Sequence, residues 1–255
     1  SANPANFTLS ERLDAAGYSG VNALYREGVG FPTGGGETTS NIDYTFFRLM
    51  SKTTGGLPKD TGDNLSDFML ISTTGSLTGM GANLGAPGPE NLASPINRNS
   101  QFGVILLDPL ASSSSAPNRT RDFISVANGT NGTMEIRRTF INNTGAPVTR
   151  LRFRIVDVTT FVYPPVFGQA DLRALDATPD PIVVIVNGNP VDVHATTVEQ
   201  SPTQINGGGW NSSMNVGFVN LRAPLASGGS VSVRFRLGVM TTGNFRFLVN
   251  IEALP

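Results

Sequence analysis

The chain contains no cysteine. That absence excludes a disulfide framework, a thiolate metal site and a cysteine nucleophile. Histidine is nearly as scarce, with His194 standing alone, so neither a histidine-based metal cluster nor a Cys–His pair is available. Lysine is reduced to Lys52 and Lys59, and every other basic residue is arginine. Charged residues make up 15% of the 255 positions, against roughly 25% in an ordinary soluble domain. The polar surface must therefore come from Ser, Thr, Asn, Gln and Gly. With a net charge of −1, no overall basic field exists to gather nucleic acid. No phosphate loop, dinucleotide fingerprint or zinc spacing is present. The longest apolar runs, such as IVVIV at 182–186, are far too short to span a bilayer. No charged-then-apolar leader opens the chain, and its low charge and Thr/Asn-rich composition suit a protein exported after removal of such a signal.

What is present is period-two alternation. It predicts strands near 6–13, 42–50, 67–73, 101–107, 133–142, 148–159, 181–187, 190–198, 214–221, 230–239 and 243–252. Turn clusters such as TGGGE, GAPGPE, NGTNGT, NNTGAP, NGNP and SGGS separate them. Helical signals are sparse: LSERLDAAG at 9–17 has a capping Ser10 and a stopping Gly17, and QADLRAL at 169–175 has room for one turn. Many short strands closed by turns read as an all-β fold, an antiparallel β-sandwich of immunoglobulin-like or jelly-roll-like kind. A soft boundary in ENLASPINRNS divides a loop-rich region, 1–95, from a sandwich module, 96–255. The first region is either a separate unit or an elaboration of the same sandwich.

Two segments echo each other, TRLRFRIVDVTT at 149–160 and VRFRLGVMTT at 233–242. Alternation places Phe153, Phe235 and Phe247 on one buried face. It sends Arg152, Arg154, Arg234 and Arg236 outward, where their stems cover apolar surface and their heads meet water. A basic binding stripe is the alternative.

The segments NLGAPGPENLASPI, RRTFINNTGAPVTRLRFRIVDVTT, TTVEQSPTQINGGGWNSS and GNFRFLVNIEALP resemble a β-rich module found near the C-termini of large secreted or surface-exposed bacterial proteins. The resemblance runs over roughly residues 80–255. It implies an extracellular bacterial setting and brings no catalytic residues with it.

Candidate sites are few. Asp60, Asp63, Asn64 and Asp67 in KDTGDNLSD are hard oxygen ligands of the kind that hold Ca²⁺, though their spacing departs from the EF-hand and equally describes a solvated turn. Trp210 follows three glycines and either stacks on a glycan or anchors a neighbour, or else plugs the sandwich. His194 reads as structural, since no nucleophile elbow accompanies it. Asp157, Glu199 and Glu252 are scattered carboxylates at strand ends, without a glycosidase motif. Seven N-x-S/T sequons occur, at Asn6, Asn64, Asn118, Asn128, Asn131, Asn142 and Asn211, with nothing to imply their use. Phe7, Leu9 and Leu13 would line one face of a free N-terminal strand able to enter a neighbour's sheet. The expectation is a non-enzymatic, extracellular structural protein: a homo-oligomer or polymer subunit on a surface or in a filament. It has no nucleic-acid partner and no membrane span. A glycan-binding adhesive module is the alternative and a hydrolase the third reading.

Overall fold

Where one face of an alternating stretch can be buried, it becomes a strand whose apolar residues share that face. The computed structural model describes residues 8–31, 44–49, 58–72, 90–158, 168–200 and 203–255, and they are nearly all β. β1 (Tyr44–Arg48) and β2 (Phe68–Ser72) pair antiparallel as a small sheet of their own. The remaining strands are β3 (Ile96–Asn97), β4 (Phe102–Leu106), β5 (Arg119–Asp122), β6 (Thr133–Asn142), β7 (Arg150–Val158), β8 (Asp171–Leu175), β9 (Ile182–Val186), β10 (Asn189–Ala195), β11 (Thr197–Val198), β12 (Ser213–Asn215), β13 (Ser230–Thr241) and β14 (Phe247–Leu254). Seven of them form one sheet in the order β4-β6-β13-β10-β9, with β5 also beside β6 and β8 beside β13. Five form the other, in the order β11-β12-β7-β14-β3. The larger sheet is mixed: β10 and β13 run parallel where His194 pairs with Val233.

The sheets meet face to face through aromatic rings. Phe153 of β7 lies 4.6 Å from Phe140 of β6 and 4.9 Å from Phe235 of β13. Phe247 of β14 joins at 5.5 Å from Phe235. Phe153 and Phe235 are buried, and Phe247 is half-buried against the same cluster. Three phenylalanines from two echoing strands and the terminal strand therefore share one core, as alternation predicts. Phe46 and Leu49 pack against this cluster too, so the β1–β2 region contributes to its burial.

Four expectations need correction. QADLRAL makes strand β8 rather than a helical turn: Leu172 and Ala174 oppose Val239 and Leu237 on the core face, and that burial outweighs local helix preference. The strand expected at 214–221 is only β12. Within 6–13, the described part is a 3₁₀ turn, Leu9–Glu11. There the Thr8 N–H and hydroxyl both donate to Glu11 Oε2, at 2.9 and 3.0 Å. The helix expected over 9–17 goes no further than that turn.

Close approach demands glycine at several places, two of them at strands β8 and β13 of the larger sheet. A Cβ on Gly208 would stand 2.9 Å from Ala174 Cβ, and one on Gly238 would stand 1.9 Å from the Asn128 carbonyl oxygen. The first lets the NGGGW loop exchange backbone hydrogen bonds with Ala174, at 2.7 and 2.8 Å. The second seats the 128–131 turn on β13.

Candidate functional site

Of the four arginines expected to face water, two are buried, and Arg154 and Arg236 are partly exposed. Arg152 on β7 is 0% exposed and Arg234 on β13 is 2% exposed, against the expectation that both meet water. The cause is a lid of carboxylates. Arg152 donates from Nε to Glu252 Oε2 and from Nη2 to Glu90 Oε1, both at 2.6 Å. Arg154 donates from Nε to Glu252 Oε1 at 2.7 Å and also reaches Glu90. Arg150 pairs with Glu199 at 3.0 Å. Three arginines and three glutamates thus close a neutral network over the five-stranded sheet, and residues 90–95 are strapped across it. Arg234 is held by Glu135 and by the Pro179 carbonyl. Burial works against the Glu90 charge. The hydrogen bonds from Arg154 and Ser94 and the Arg152 charge outweigh it and hold this carboxyl below its usual 4.5. A depressed folded value means that the strap's contribution is present above that ordinary value and is lost as pH falls through the folded one.

The same network answers the question of catalytic carboxylates. Glu252 and Glu199 are counter-charges for arginines, and Asp157 accepts from Arg246 Nε at 2.7 Å. His194 is buried, hydrogen-bonded through Nδ1 to Asp180 Oδ1 at 3.2 Å and stacked on Phe218 at 3.6 Å between ring centres. Asp180 is its sole hydrogen-bonding partner among the described residues.

The calcium candidates are turned to other work. Asn64 Oδ1 accepts from the Gly17 and Glu27 N–H groups at 3.1 and 3.0 Å. Asp63 Oδ1 accepts from Val29 N–H at 2.9 Å. Asp67 accepts from the Thr61 N–H and hydroxyl at 2.7 and 2.8 Å, and Asp60 lies at the surface. The Asn64 and Asp63 oxygens staple the 58–67 loop to residues 15–29, and those of Asp67 tie the loop to itself. Among the described residues no three His, Asp or Glu side chains converge on a common point.

Trp210 is 1% exposed and belongs to the sandwich core, so it offers no ring face to a glycan and no anchor to a neighbour. Its loop is pinned on the other side by Asn211 N–H donating to the Ile155 carbonyl at 2.8 Å. Leu9 and Leu13 are exposed on non-strand backbone, and Phe7 lies outside the described residues. Of the sequons, Asn64, Asn118 and Asn142 are fully buried with their amide nitrogens donating to backbone carbonyls. The folded chain cannot carry glycans at those three.

One buried acid is poorly compensated. Burial pushes the Asp171 carboxyl up to about 6, the Arg173 charge and its 3.0 Å hydrogen bond offsetting only part of the penalty. A folded value above the ordinary 3.8 gives a contribution fully present below 3.8 and lost as pH rises through about 6. Asp171→Asn should flatten the stability profile by about 2–3 kcal/mol between roughly pH 4 and pH 7. Denaturant titrations of both proteins across that range check this, and parallel profiles would contradict it.

Among the described residues an unfilled interaction potential lies along β9. Asn187 and Gly188, at φ 49° and 82°, form the two-residue turn that returns β9 into β10. Pro190, with no N–H to give, opposes Ile185, a pair that exchanges no hydrogen bonds. By alternation the N–H and C=O groups of Val183 and Ile185 point away from β10. Among the described residues nothing pairs with them. Both side chains are 62% exposed. No charged residue lies between Asp180 and Asp192 to guard this edge, which sequence reading alone left unmarked. The IVVIV run and the NGNP turn were the signal.

Comparison with protein families, with curated proteins and with solved structures finds no match. Among the described residues no helix is long and apolar enough to cross a membrane.

Proposed function

We propose that the chain is a structural subunit of an extracellular bacterial assembly, joined to further copies by strand addition along β9. The observation that carries this reading is the open, apolar, uncharged edge of Ile182–Val186. Proteins that remain monomeric blunt such edges with lysine, proline, bulges or covering loops, and among the described residues this edge has none of these. A second copy of β9 in antiparallel register satisfies the outward backbone groups and buries valine and isoleucine against their like, with no charge repulsion. The edge strand β4, where Val104 and Ile105 are about half exposed, supplies a second joint by which dimers extend into a chain. The extracellular setting follows from the resemblance of residues 80–255 to modules of surface-exposed bacterial proteins.

Sedimentation velocity over a concentration series tests this. The wild type should associate, and Ile185→Lys should remain monomeric with an unchanged melting temperature, since its side chain leaves the core untouched. A wild type that stays monomeric throughout, or a lysine variant that associates as before, would overturn the reading.

A further inference from the structure

One end of the sandwich opens into a cleft of about 260 Å³ between β5, β8, β13 and the turn leading to β14. Its floor is apolar, made by the buried Met134, Leu172 and Val239. Two arginines stand over it. Arg119 and Arg121 oppose Ile136 and Met134 in the β5–β6 register, so both rise from the sheet face that turns toward the core.

Their hydrogen bonding differs. Arg121 is fixed: Nη1 donates to the Asp122 and Thr133 carbonyls at 2.8 and 2.7 Å, and Nη2 donates to that of Asn131 at 2.8 Å. Arg119 donates only through Nε, to the Ser114 carbonyl at 3.1 Å, and its guanidinium lies 5.4 Å from the centre of the Phe245 ring. Among the described residues neither of its Nη nitrogens has a hydrogen-bonding partner, and neither arginine has a carboxylate within ion-pair distance. Several other arginines are matched, as Arg137 with Glu135, Arg150 with Glu199 and Arg152 with Glu252, while others such as Arg236 bond, among the described residues, only to backbone carbonyls. Arg138 adds to the imbalance: burial first, and then the charge of Arg119, push its guanidinium below the ordinary value. Among the described residues no acidic side chain lines the cleft.

A forked guanidinium held against an aromatic ring, above an apolar floor, is complementary to a planar carboxylate on an apolar body. The volume is below the roughly 300 Å³ at which drug-sized pockets begin, which limits that body to a single ring or a short acyl chain. We propose that this cleft binds a small organic carboxylate. The two Nη groups of Arg119 take the carboxylate, Arg121 adds a fixed positive charge, and the Met134–Leu172–Val239 floor takes the body. This site is separate from β9 and does not rest on self-association.

Titration calorimetry and ligand-observed NMR with benzoate, benzyl alcohol and inorganic phosphate form the test. Benzoate should bind saturably and more weakly as salt rises, and benzyl alcohol should not bind. Arg119→Gln should weaken benzoate by about tenfold or more, the scale of a lost charge-assisted bidentate contact. Thr242→Trp, at an exposed position on the cleft wall, keeps both arginines and should abolish binding by filling the space. Melting curves establish that each variant is folded, and Thr242→Trp decides the matter if Arg119→Gln is not. Absence of saturable benzoate binding would overturn the proposal, as would benzoate affinity unchanged in the folded variants. Phosphate displacing benzoate at equal concentration would do the same, because it would reduce the cleft to an unspecific anion patch.

Discussion

Arg152→Ala is expected to lower the unfolding free energy by about 3–5 kcal/mol, the range found when one member of a buried ion pair is deleted. The reason lies in what the substitution leaves behind. Glu252, itself buried, loses the Nε donor at 2.6 Å. Glu90 loses one of its two arginines, and the strap of residues 90–95 is left with Arg154 as its ion-pair hold on β7. Arg236→Ala provides the contrast. That side chain is half-buried and, among the described residues, makes only a 3.4 Å contact with the Asp176 carbonyl, so its loss should cost under about 1 kcal/mol. Replacing Arg152 by methionine together with Glu252 by leucine should recover much of the loss, because a well-packed apolar pair avoids the desolvation penalty. Urea titrations of these four proteins would check the ordering. Equal stability of Arg152→Ala and Arg236→Ala would refute the buried-network description.

Phe153→Ala should be comparably severe, at about 3–5 kcal/mol. Its ring is fully buried and touches those of Phe140 and Phe235, the point at which the two sheets interlock. Truncation leaves a cavity that β7 cannot collapse to fill, because its backbone is paired on both sides, to β12 and β14. Phe247→Ala should cost less, since that ring is already half-exposed at the edge of the cluster. A Phe247 variant weaker than the Phe153 variant would place the centre of the core elsewhere.

Much of the fold was legible because long alternating segments are decided by burial of one face. The strand expected at 133–142 is β6 end for end, and the phenylalanine face of β7 and β13 follows from period two alone. Short pieces were not legible. β3 and β5 carry little apolar alternation and exist because β14 and β6 offer them an edge. β8 reads locally as helix and becomes a strand only because β13 and the NGGGW loop flank it. The arginine face failed for a related reason. Alternation tells which side of a sheet a residue takes, but not whether another segment lies on top. Glu90 is 62 residues from Arg152 and Glu252 is 100 away, so their meeting is a fact of topology. The N-terminal turn was misread as strand or Ser10-capped helix, although Thr8 and Glu11 stand at the capping-box spacing.

The absence of cysteine allows the proposed joint along β9 to be probed directly. In antiparallel self-pairing centred on Val184, Val183 opposes Ile185 of the second copy and the two 184 side chains face each other. Such non-hydrogen-bonded pairs hold their Cα atoms about 4.5 Å apart, within the range a disulfide spans. Oxidation of Val184→Cys should therefore yield a covalent dimer rapidly at low concentration, well beyond the yield from Ser227→Cys in an exposed turn. Equal, slow cross-linking at both positions would contradict assembly through this edge.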